Sequence, residues 1–321
     1  MKNLKNTGNI DIAITMKNVS KEFKVLNRHE GLKGSIYDLF SRDYKIIKAV
    51  DDISVEIPKG QIVGYLGPNG AGKSTTIKMM TGVLEPTRGE IIVNGNIPHK
   101  NRTKNAENIG VVFGQRSQLW WALPLIESFK LLKDIYLIDD KDYDDMISLY
   151  QSLVDIEPLL HKTVRQMSLG QRTLSDILAA FLHNPSIVFL DEPTIGLDVS
   201  MKAKIRQLIL GLNKEKKTTV ILTTHDMGDV DALCERIVII DKGRMIYDND
   251  IEHLKTYFGS YRTLKLKNAN GSWTERMIDD KKDDIMKILE SEQKQGKITD
   301  IKLEEISTEE IIKQIYEGGT L

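Results

Sequence analysis

The chain has 321 residues, of which 40% are hydrophobic, and its 45 basic and 46 acidic side chains give a formal net charge of −1. This length suits one large domain with a small one, and the balanced charge argues against nucleic acid as the main partner. The single cysteine, Cys234, cannot form an internal disulfide, which suits a reducing cytoplasm. No apolar run approaches the roughly 18 residues of a membrane-spanning helix, and the N-terminus is too polar for a secretory signal. We therefore expect a soluble intracellular protein.

Strand-like alternation of apolar and polar residues marks the first part of the chain, at residues 11–23 and again at 53–57. The insert between them, around residues 24–45, carries apolar residues at helical spacing among basic ones. Such an amphipathic segment is compatible with contact to a membrane partner or lipid surface, but a packed surface helix is the favoured interpretation. The apolar positions of this insert are Leu32, Ile36, Leu39 and Phe40.

A glycine-rich segment lies between a strand-like run, residues 61–66, and a helical pattern, residues 76–80, and it fits G-x-x-x-x-G-K-[ST]. Its glycines let successive N–H groups point at phosphate oxygens, and the helix that follows adds its positive end. Lys73 can reach the terminal phosphates of a nucleotide, and the Ser74 hydroxyl can ligate Mg²⁺. A glycine-rich turn without a ligand is disfavoured in this context. The segment comprises Gly67, Pro68, Asn69, Gly70, Ala71, Gly72, Lys73, Ser74 and Thr75.

Further strands are predicted after this loop, at residues 90–95 and 109–113. The pattern then becomes helical, and we interpret residues from about 116 to 183 as a helical subdomain inserted into a sheet domain. Within it, the acidic run of residues 139–145 is predicted to be a solvated break between helices.

An uninterrupted apolar run, residues 187–190, predicts a strand buried on both faces of a parallel sheet. It leads into Asp191, which is suited to hold Mg²⁺ through water, and Glu192, which can orient or deprotonate a water that attacks the terminal phosphate. A helix over residues 201–212 and a strand over 219–223 follow, with His225 at the strand end. Strands that alternate with helices predict a doubly wound α/β core.

The last part of the chain predicts a small α+β appendage. Alternating runs at 261–266 and 298–303 flank an amphipathic segment around 285–289, and Ser307 begins a capping box before a final helix. We therefore divide the chain into a domain of residues 10–255 and a smaller domain of residues 256–321.

The segment of residues 167–172 opens a helix, for which Ser168 is a good N-cap. Taken alone it is an ordinary helix start, but it resembles the signature L-S-G-G-Q of ABC-type ATPases. Leu169 replaces the first glycine of that signature, whereas Ser168, Gly170 and Gln171 retain its remaining residues.

Other sequence motifs of ABC ATPases occur in the family's order along the chain, and the resemblance covers about residues 10–255. Gln115 resembles the Q-loop, Asp198 ends a segment similar to the D-loop, His225 resembles the switch histidine, and Phe23 lies where the family has an aromatic residue that stacks on adenine. The resemblance implies catalytic roles for Gln115 and His225 beside Glu192. It also implies that Gln115 contributes to the Mg²⁺ site formed with Ser74 and Asp191, and that Asp198 contributes to the nucleotide site.

The family's mechanism implies that one chain is not sufficient. In ABC ATPases two nucleotide-binding domains pair head to tail, so that ATP on one phosphate loop meets the signature helix of the other. The resemblance therefore implies an α/β P-loop NTPase fold and pairing with a second copy or a homologous nucleotide-binding subunit.

Within this family the chain resembles the ATP-binding subunits of bacterial ABC-2-type exporters, on the stretches 114–121, 168–172 and 190–199. This implies an Mg-ATP-hydrolysing subunit that energises export through ATP-dependent dimerisation. It also implies two integral-membrane permease subunits as partners, with the chain bound peripherally at the cytoplasmic face of the membrane and no nucleic acid involved.

Three alternatives remain open at this stage. Trp120 and Trp121 lie in a region that in this family faces a cytoplasmic helix of the membrane subunit, but both rings could instead pack inside the helical subdomain. The chain could also be a soluble ABC ATPase that acts on ribosomes or nucleic acid. A regulatory subunit that does not hydrolyse ATP is a third possibility, and the intact Asp191, Glu192 and His225 argue against it.

Overall fold

The computed structural model describes residues 11–26, 44–114, 117–257, 259, 261–295 and 298–316. The chain divides into two compact units, one ending at Asp248 and the other beginning at Asn249, slightly before the boundary expected from composition. Gln115 and most of the insert around residues 24–45 lie outside the described residues, so the predictions made for them stay predictions.

The described strands and helices alternate through much of the first unit, as expected. The strands are β1 (Ile12–Leu26), β2 (Tyr44–Pro58), β3 (Ile62–Leu66), β4 (Arg88–Val93), β5 (Ile109–Phe113), β6 (Ile187–Asp191), β7 (Thr219–Thr223), β8 (Arg236–Asp241), β9 (Arg244–Asp250), β10 (Tyr261–Asn268), β11 (Trp273–Asp279) and β12 (Ile298–Glu305). The helices are α1 (Lys73–Met80), α2 (Arg102–Ala106), α3 (Leu125–Ile135), α4 (Asp140–Leu153), α5 (Glu157–Leu160), α6 (Leu169–Phe181), α7 (Val199–Lys216), α8 (Met227–Leu233), α9 (Ile251–Tyr257), α10 (Ile285–Gln295) and α11 (Thr308–Tyr316). None of the helices in the described ranges combines the length and hydrophobicity that crossing a membrane requires.

The central sheet joins six described strands in the order β5-β6-β7-β3-β8-β9. Pairing is parallel from β5 to β8, which confirms the predicted, mostly parallel α/β core. The middle strands are apolar and fully buried, as in Val188, Phe189 and Ile221, because both faces of the sheet are covered by other elements. The carboxyl ends of β3, β6 and β7 therefore meet at one edge.

A second sheet of the first unit is antiparallel, with the order β2-β1-β4. Its apolar residues, including Ile14 and Val55, share one core with Tyr65 of β3 and Phe189 of β6. The sequence indicated these strands but not their separation from the central sheet, because period-2 alternation reports one buried face and not the pairing partner.

The helical subdomain lies between β5 and β6 in the chain and contains helices α3 to α6. The predicted acidic break over residues 139–145 is wrong, because α4 begins at Asp140. Asp140 and Asp142 occupy its first turn, where negative charge interacts favourably with the positive end of the helix dipole.

The second unit contains an antiparallel sheet of order β11-β10-β12, with helices α10 and α11 close to their predicted positions. Leu264, Leu266 and Ile278 form its apolar centre, and Ile285 and Ile298 pack against them. Sequence patterning missed β11 and α9. The predicted capping box is present, since Ser307 Oγ accepts from Glu310 N at 3.2 Å and the Glu310 carboxylate accepts from Ser307 N.

Candidate functional site

The glycine-rich loop connects β3 to α1 with a backbone that only glycine tolerates at key points. Gly72 is the N-cap of α1 and has φ 107°. A Cβ at Gly72 would lie 2.3 Å from Ala49 O, and a Cβ at Gly67 would lie 2.5 Å from Ile240 O. Both distances are too short for any side chain, so the loop must keep glycine there to approach its neighbours closely.

Lys73 begins α1 and is directed back over the loop. Its Nζ donates hydrogen bonds to Gly67 O at 2.5 Å and Pro68 O at 3.2 Å, and the residue is only 7% exposed. Burial lowers the pKa of Lys73, whereas the nearby carboxylates of Glu192 and Asp191 act to raise it. The ammonium group thus lies between the loop carbonyls and the acidic end of β6.

A cavity of about 200 Å³ opens over this loop, and Glu192 contributes to its wall. Its size and its combination of backbone N–H groups, an ammonium group and hydroxyls fit a bound phosphate chain. The lining residues are Ala49, Pro68, Asn69, Gly70, Gly72, Lys73, Ser74, Thr75 and Glu192.

The end of β6 is fixed by its neighbour β7. Thr223 Oγ1 donates a hydrogen bond to Asp191 Oδ1, and Glu192 N donates to Thr223 O at 2.9 Å. Glu192 has φ 53°, the left-handed region that a non-glycine residue adopts only when its surroundings enforce it. Sequence reasoning missed Thr223, although its position two residues before His225 was a usable signal.

Glu192 and His225 form a pair, with Glu192 Oε1 and His225 Nε2 2.9 Å apart. Their side chains are 23% and 45% exposed, so both remain accessible to water. A second cavity of about 310 Å³ adjoins the pair and includes Thr194, Gly196, and Asp226 in its lining. Glu192 therefore belongs both to this cavity and to the one over the phosphate loop.

The signature segment begins α6 with a complete capping box. Ser168 Oγ accepts from Gln171 N at 3.2 Å, and Gln171 Oε1 accepts from Ser168 N at 3.2 Å. A Cβ on Gly170 would lie 2.5 Å from Cγ of Met201 in α7. Asp198 is the N-cap of α7, accepting from Met201 N at 2.9 Å, so Asp198 and the signature segment are near neighbours.

These signature residues do not line the cavity over the phosphate loop of their own chain, as far as the described residues go. The structure therefore brings together Lys73, Asp191, Glu192 and His225, and groups Ser168, Gly170 and Asp198 elsewhere. Gln115 lies outside the described residues.

Phe23 lies on the long antiparallel ladder of β1 and β2. Its ring is 37% exposed, and Lys21 Nζ lies 5.4 Å from the ring centroid. Phe23 pairs with Ile47, two residues before Ala49 of the phosphate-loop cavity. Phe23 is thus an exposed aromatic residue on a strand pair whose other strand, β2, contributes Ala49 to the cavity.

Trp120 and Trp121 are 38% and 53% exposed, so the alternative that both rings are packed inside the helical subdomain is not observed. The guanidinium of Arg172 in α6 lies 4.4 Å from the centroid of the Trp121 ring, a cation–π contact. One ring of this exposed pair, that of Trp121, is therefore in contact with the signature helix.

Residues 50–195 match the family model described as ABC transporter. The chain is 34% identical over 215 residues to the ABC transporter ATP-binding protein NatA of Bacillus subtilis (strain 168), covering 67% of this chain and 87% of NatA. It is 31% identical over 260 residues to the cholesterol transporter ABCA5 of Rattus norvegicus, covering 81% of this chain but only 16% of that much longer relative.

Among solved structures, the chain resembles the dimeric post-hydrolysis state of the ATP-binding cassette MJ0796 bound to ADP and Pi. The TM-score is 0.60 at 25% identity, and the match covers 74% of this chain and 98% of that one. The sequence relationship to NatA over most of its length agrees with the phosphate loop and the acidic strand end described above. The chain therefore belongs to the ABC transporter family, as an ATP-binding subunit with ATPase activity.

Proposed function

We propose that this ATPase energises a membrane exporter through ATP-dependent dimerisation. The observation that carries the proposal is that Glu192 lines the cavity over the phosphate loop and also contacts His225 in the adjoining cavity. A group that touches both cavities can act on the terminal phosphate of a nucleotide held by the loop.

In this proposal the phosphate loop, residues 67–75, holds the phosphates of ATP, and Phe23 stacks on the adenine. Lys73 neutralises the terminal phosphates. The hydroxyl of Ser74, the carboxylate of Asp191 and the amide of Gln115 are hard oxygen donors of the kind that Mg²⁺ prefers. When bound, Mg²⁺ offsets the charge that develops on the phosphates.

Hydrolysis is assigned to the residues at the ends of β6 and β7. Glu192 accepts a proton from water as that water attacks the terminal phosphorus, and the bond to the bridging oxygen breaks to give ADP and phosphate. His225, within hydrogen-bond distance of Glu192, orients it and the terminal phosphate. Gln115 is proposed to assist from the Q-loop.

The composite site requires a second nucleotide-binding subunit, either another copy or a homologue. Ser168, Gly170, Gln171 and Asp198 of one subunit would approach ATP held by the other, with the start of α6 supplying N–H groups to the terminal phosphate. The exposure of Ser168 and the dimeric state of the MJ0796 structure support this arrangement.

Two integral-membrane permease subunits are the proposed partners, with this chain peripheral at the cytoplasmic face of the membrane. The exposed Trp120 and Trp121 support a protein partner, because large apolar rings at a surface are favourable contacts for one. No observation favours the rival of a soluble ATPase on ribosomes or nucleic acid, and the relatives named above are described as transporter proteins.

The central test compares Glu192→Gln with Lys73→Ala. Glu192→Gln should retain ATP binding, lose about 100-fold or more in kcat and accumulate an ATP-bound dimer, because it removes the base but not the phosphate contacts. Lys73→Ala should weaken ATP binding itself. Equilibrium binding of a fluorescent ATP analogue, phosphate release and sedimentation velocity measure the three effects.

Glu235→Gln is the matched control, since Glu235 is an exposed acid that lines neither cavity. Wild-type hydrolysis by Glu192→Gln would contradict the assignment of the base. The exporter assignment is tested separately by co-purification, which should recover polytopic membrane proteins. Recovery of ribosomal RNA in their place would favour the soluble rival.

A further inference from the structure

A fully buried carboxylate, Asp229 of α8, lies behind the Glu192–His225 pair. Its Oδ2 accepts hydrogen bonds from Thr194 Oγ1 and, at 2.9 Å, from Thr224 Oγ1, while its Oδ1 accepts from Arg206 Nε at 2.6 Å. A buried carboxylate is costly unless it is paired and hydrogen-bonded. These three donors satisfy Asp229, and they also tie three separate chain segments to one point.

Two of those segments carry the proposed catalytic pair. Thr194 lies two residues after Glu192, and Thr224 directly precedes His225. Both threonines are almost completely buried, at 2% and 3% exposure, so their bonds to Asp229 are shielded from bulk solvent. The two sides of the catalytic pair are thus connected through one carboxylate.

The third segment is α7, which anchors the carboxylate. Besides its bond to Asp229, Arg206 of α7 donates from Nη2 to Asp226 Oδ1 at 3.3 Å, and Lys202 one turn earlier forms an ion pair with Asp226. Two acidic and two basic side chains therefore form a balanced cluster. Such a cluster resists displacement, because moving one charge leaves its partner unpaired in a partly desolvated site.

The conformation of Glu192 explains why an anchor is needed. Its left-handed backbone, φ 53°, is unfavourable for a residue with a side chain and persists only where the surroundings enforce it. On one side Glu192 N is bonded to Thr223 O. On the other side the Thr194 hydroxyl is bonded to Asp229.

We propose that Asp229 is a positioning residue for ATP hydrolysis, which holds Glu192 and His225 in register through the hydroxyls of Thr194 and Thr224. This rests on the proposed roles of Glu192 and His225. Asp229 itself does not contact nucleotide in this arrangement. Removing the hydrogen bond between Asp229 and either threonine should therefore slow ATP hydrolysis and leave ATP binding by the phosphate loop intact.

Thr194→Val and Thr224→Val test the proposal in the full-length chain, because valine has the shape of threonine but no hydroxyl. Thr218→Val is the matched control, since Thr218 is 1% exposed and its hydroxyl donates to Pro185 O at 3.1 Å. Thr194→Val and Thr218→Val each lose one buried hydrogen bond and should unfold at similar temperatures. Thr224→Val also loses the bond that its hydroxyl accepts from Asp226 N at 3.0 Å, so it should unfold at a lower temperature than the other two. Only Thr194→Val and Thr224→Val should lower kcat, by about tenfold or more, with KM for ATP changed less than about twofold.

Proton NMR of His225 reports on the catalytic pair without requiring ATP hydrolysis. The imidazole C–H resonances of His225 are identified by their absence from the spectrum of His225→Gln. Thr194→Val and Thr224→Val should shift these resonances, and Thr218→Val should leave them unchanged. A general loss of stability would not separate the variants in this way.

Wild-type kcat and unshifted His225 resonances in Thr194→Val and Thr224→Val would overturn the proposal and leave Asp229 a structural residue. Glu192→Gln, measured in parallel, separates this outcome from failure of the proposed function. Should Glu192→Gln hydrolyse ATP normally, the assignment of Glu192 fails, and the His225 resonances still decide whether Asp229 positions that side chain.

Discussion

Asp176 is a single residue whose chemistry is set by the fold around it. It lies in α6 and is 6% exposed, and its Oδ1 accepts hydrogen bonds from Ser117 Oγ and Gln118 N, both at 3.0 Å. Burial raises the pKa of Asp176 from an ordinary 3.8 to about 6, although these hydrogen bonds oppose the change. The signature helix thus carries an acid, Asp176, that titrates near neutral pH. Its carboxylate is hydrogen-bonded to the segment before Trp120.

This environment predicts a pH-dependent effect of Asp176→Asn. With a raised pKa, the stabilising contribution of Asp176 is complete below pH 3.8 and is lost as pH rises through about 6. The amide keeps an oxygen acceptor and removes the charge. Relative to wild type, the variant's free energy of unfolding should therefore be higher at about pH 8 than at about pH 4.5, by on the order of 2 kcal/mol.

Urea unfolding of both proteins at the two pH values measures this difference. A constant difference between wild type and Asp176→Asn across the range would contradict the raised pKa. The sequence of a helix therefore does not reveal the ionisation state of an acidic side chain in it. That state depends on how deeply neighbouring segments bury the side chain.

At the scale of elements, β5 and α6 are packed so closely that a side chain between them is excluded. A Cβ on Gly110 of β5 would lie 2.2 Å from Ala180 O of α6 and 3.0 Å from Cγ2 of Val188. The nearest atom belongs to backbone, so the contact can be relieved only by moving the helix. Gly110 therefore determines how deeply the signature helix sits on the central sheet.

Gly110→Ala should lower the free energy of unfolding by about 1–3 kcal/mol or more, as overpacking does elsewhere in protein cores. Gly211→Ala is the control, because the nearest atom to its Cβ is Cδ2 of Leu153, a methyl that can rotate away, and alanine favours the helix α7. Thermal unfolding of the two variants checks the contrast. Equal destabilisation would contradict a rigid contact between β5 and α6.

At the scale of the whole molecule, a capping box is present in both units, at helices α6 and α11 of the part of the chain that the structure describes. Ser168 with Gln171 caps α6, and Ser307 with Glu310 caps α11. In the proposed dimer only Ser168 has a second task, which is to meet ATP held by the other subunit. Substituting each serine in turn therefore distinguishes the effect of losing an N-cap from the effect of losing a contact with the nucleotide.

Ser168→Gly and Ser307→Gly should each change stability by only a few tenths of a kcal/mol, since glycine is an adequate N-cap. In the Glu192→Gln background, Ser168→Gly should weaken the ATP-dependent dimer, and Ser307→Gly should leave it intact. Sedimentation velocity with and without Mg-ATP measures the dimer fraction. Full dimerisation by the Ser168 variant would argue against the composite site.

The phosphate loop, the acidic residues at the end of β6 and the N-cap of α6 were predictable from the sequence, because each is a local pattern. Backbone freedom at glycine, an apolar run that ends in carboxylates, and a serine before a helix all act over a few residues. Helices α10 and α11 of the second unit followed from the same kind of signal. The acidic run near Asp140 was misread, because a helix start and a solvated break share the same composition.

Only the tertiary structure decided which distant segments meet. The separation of the antiparallel sheet from the central one, the contact between Glu192 and His225, and the bonds of Asp229 to Thr194 and Arg206 all join residues far apart in the chain. Periodicity in a sequence records which face of an element is buried but not what buries it. Short sequence motifs therefore determined which chemical groups this ATPase has, whereas the packing of distant segments determined how those groups are arranged.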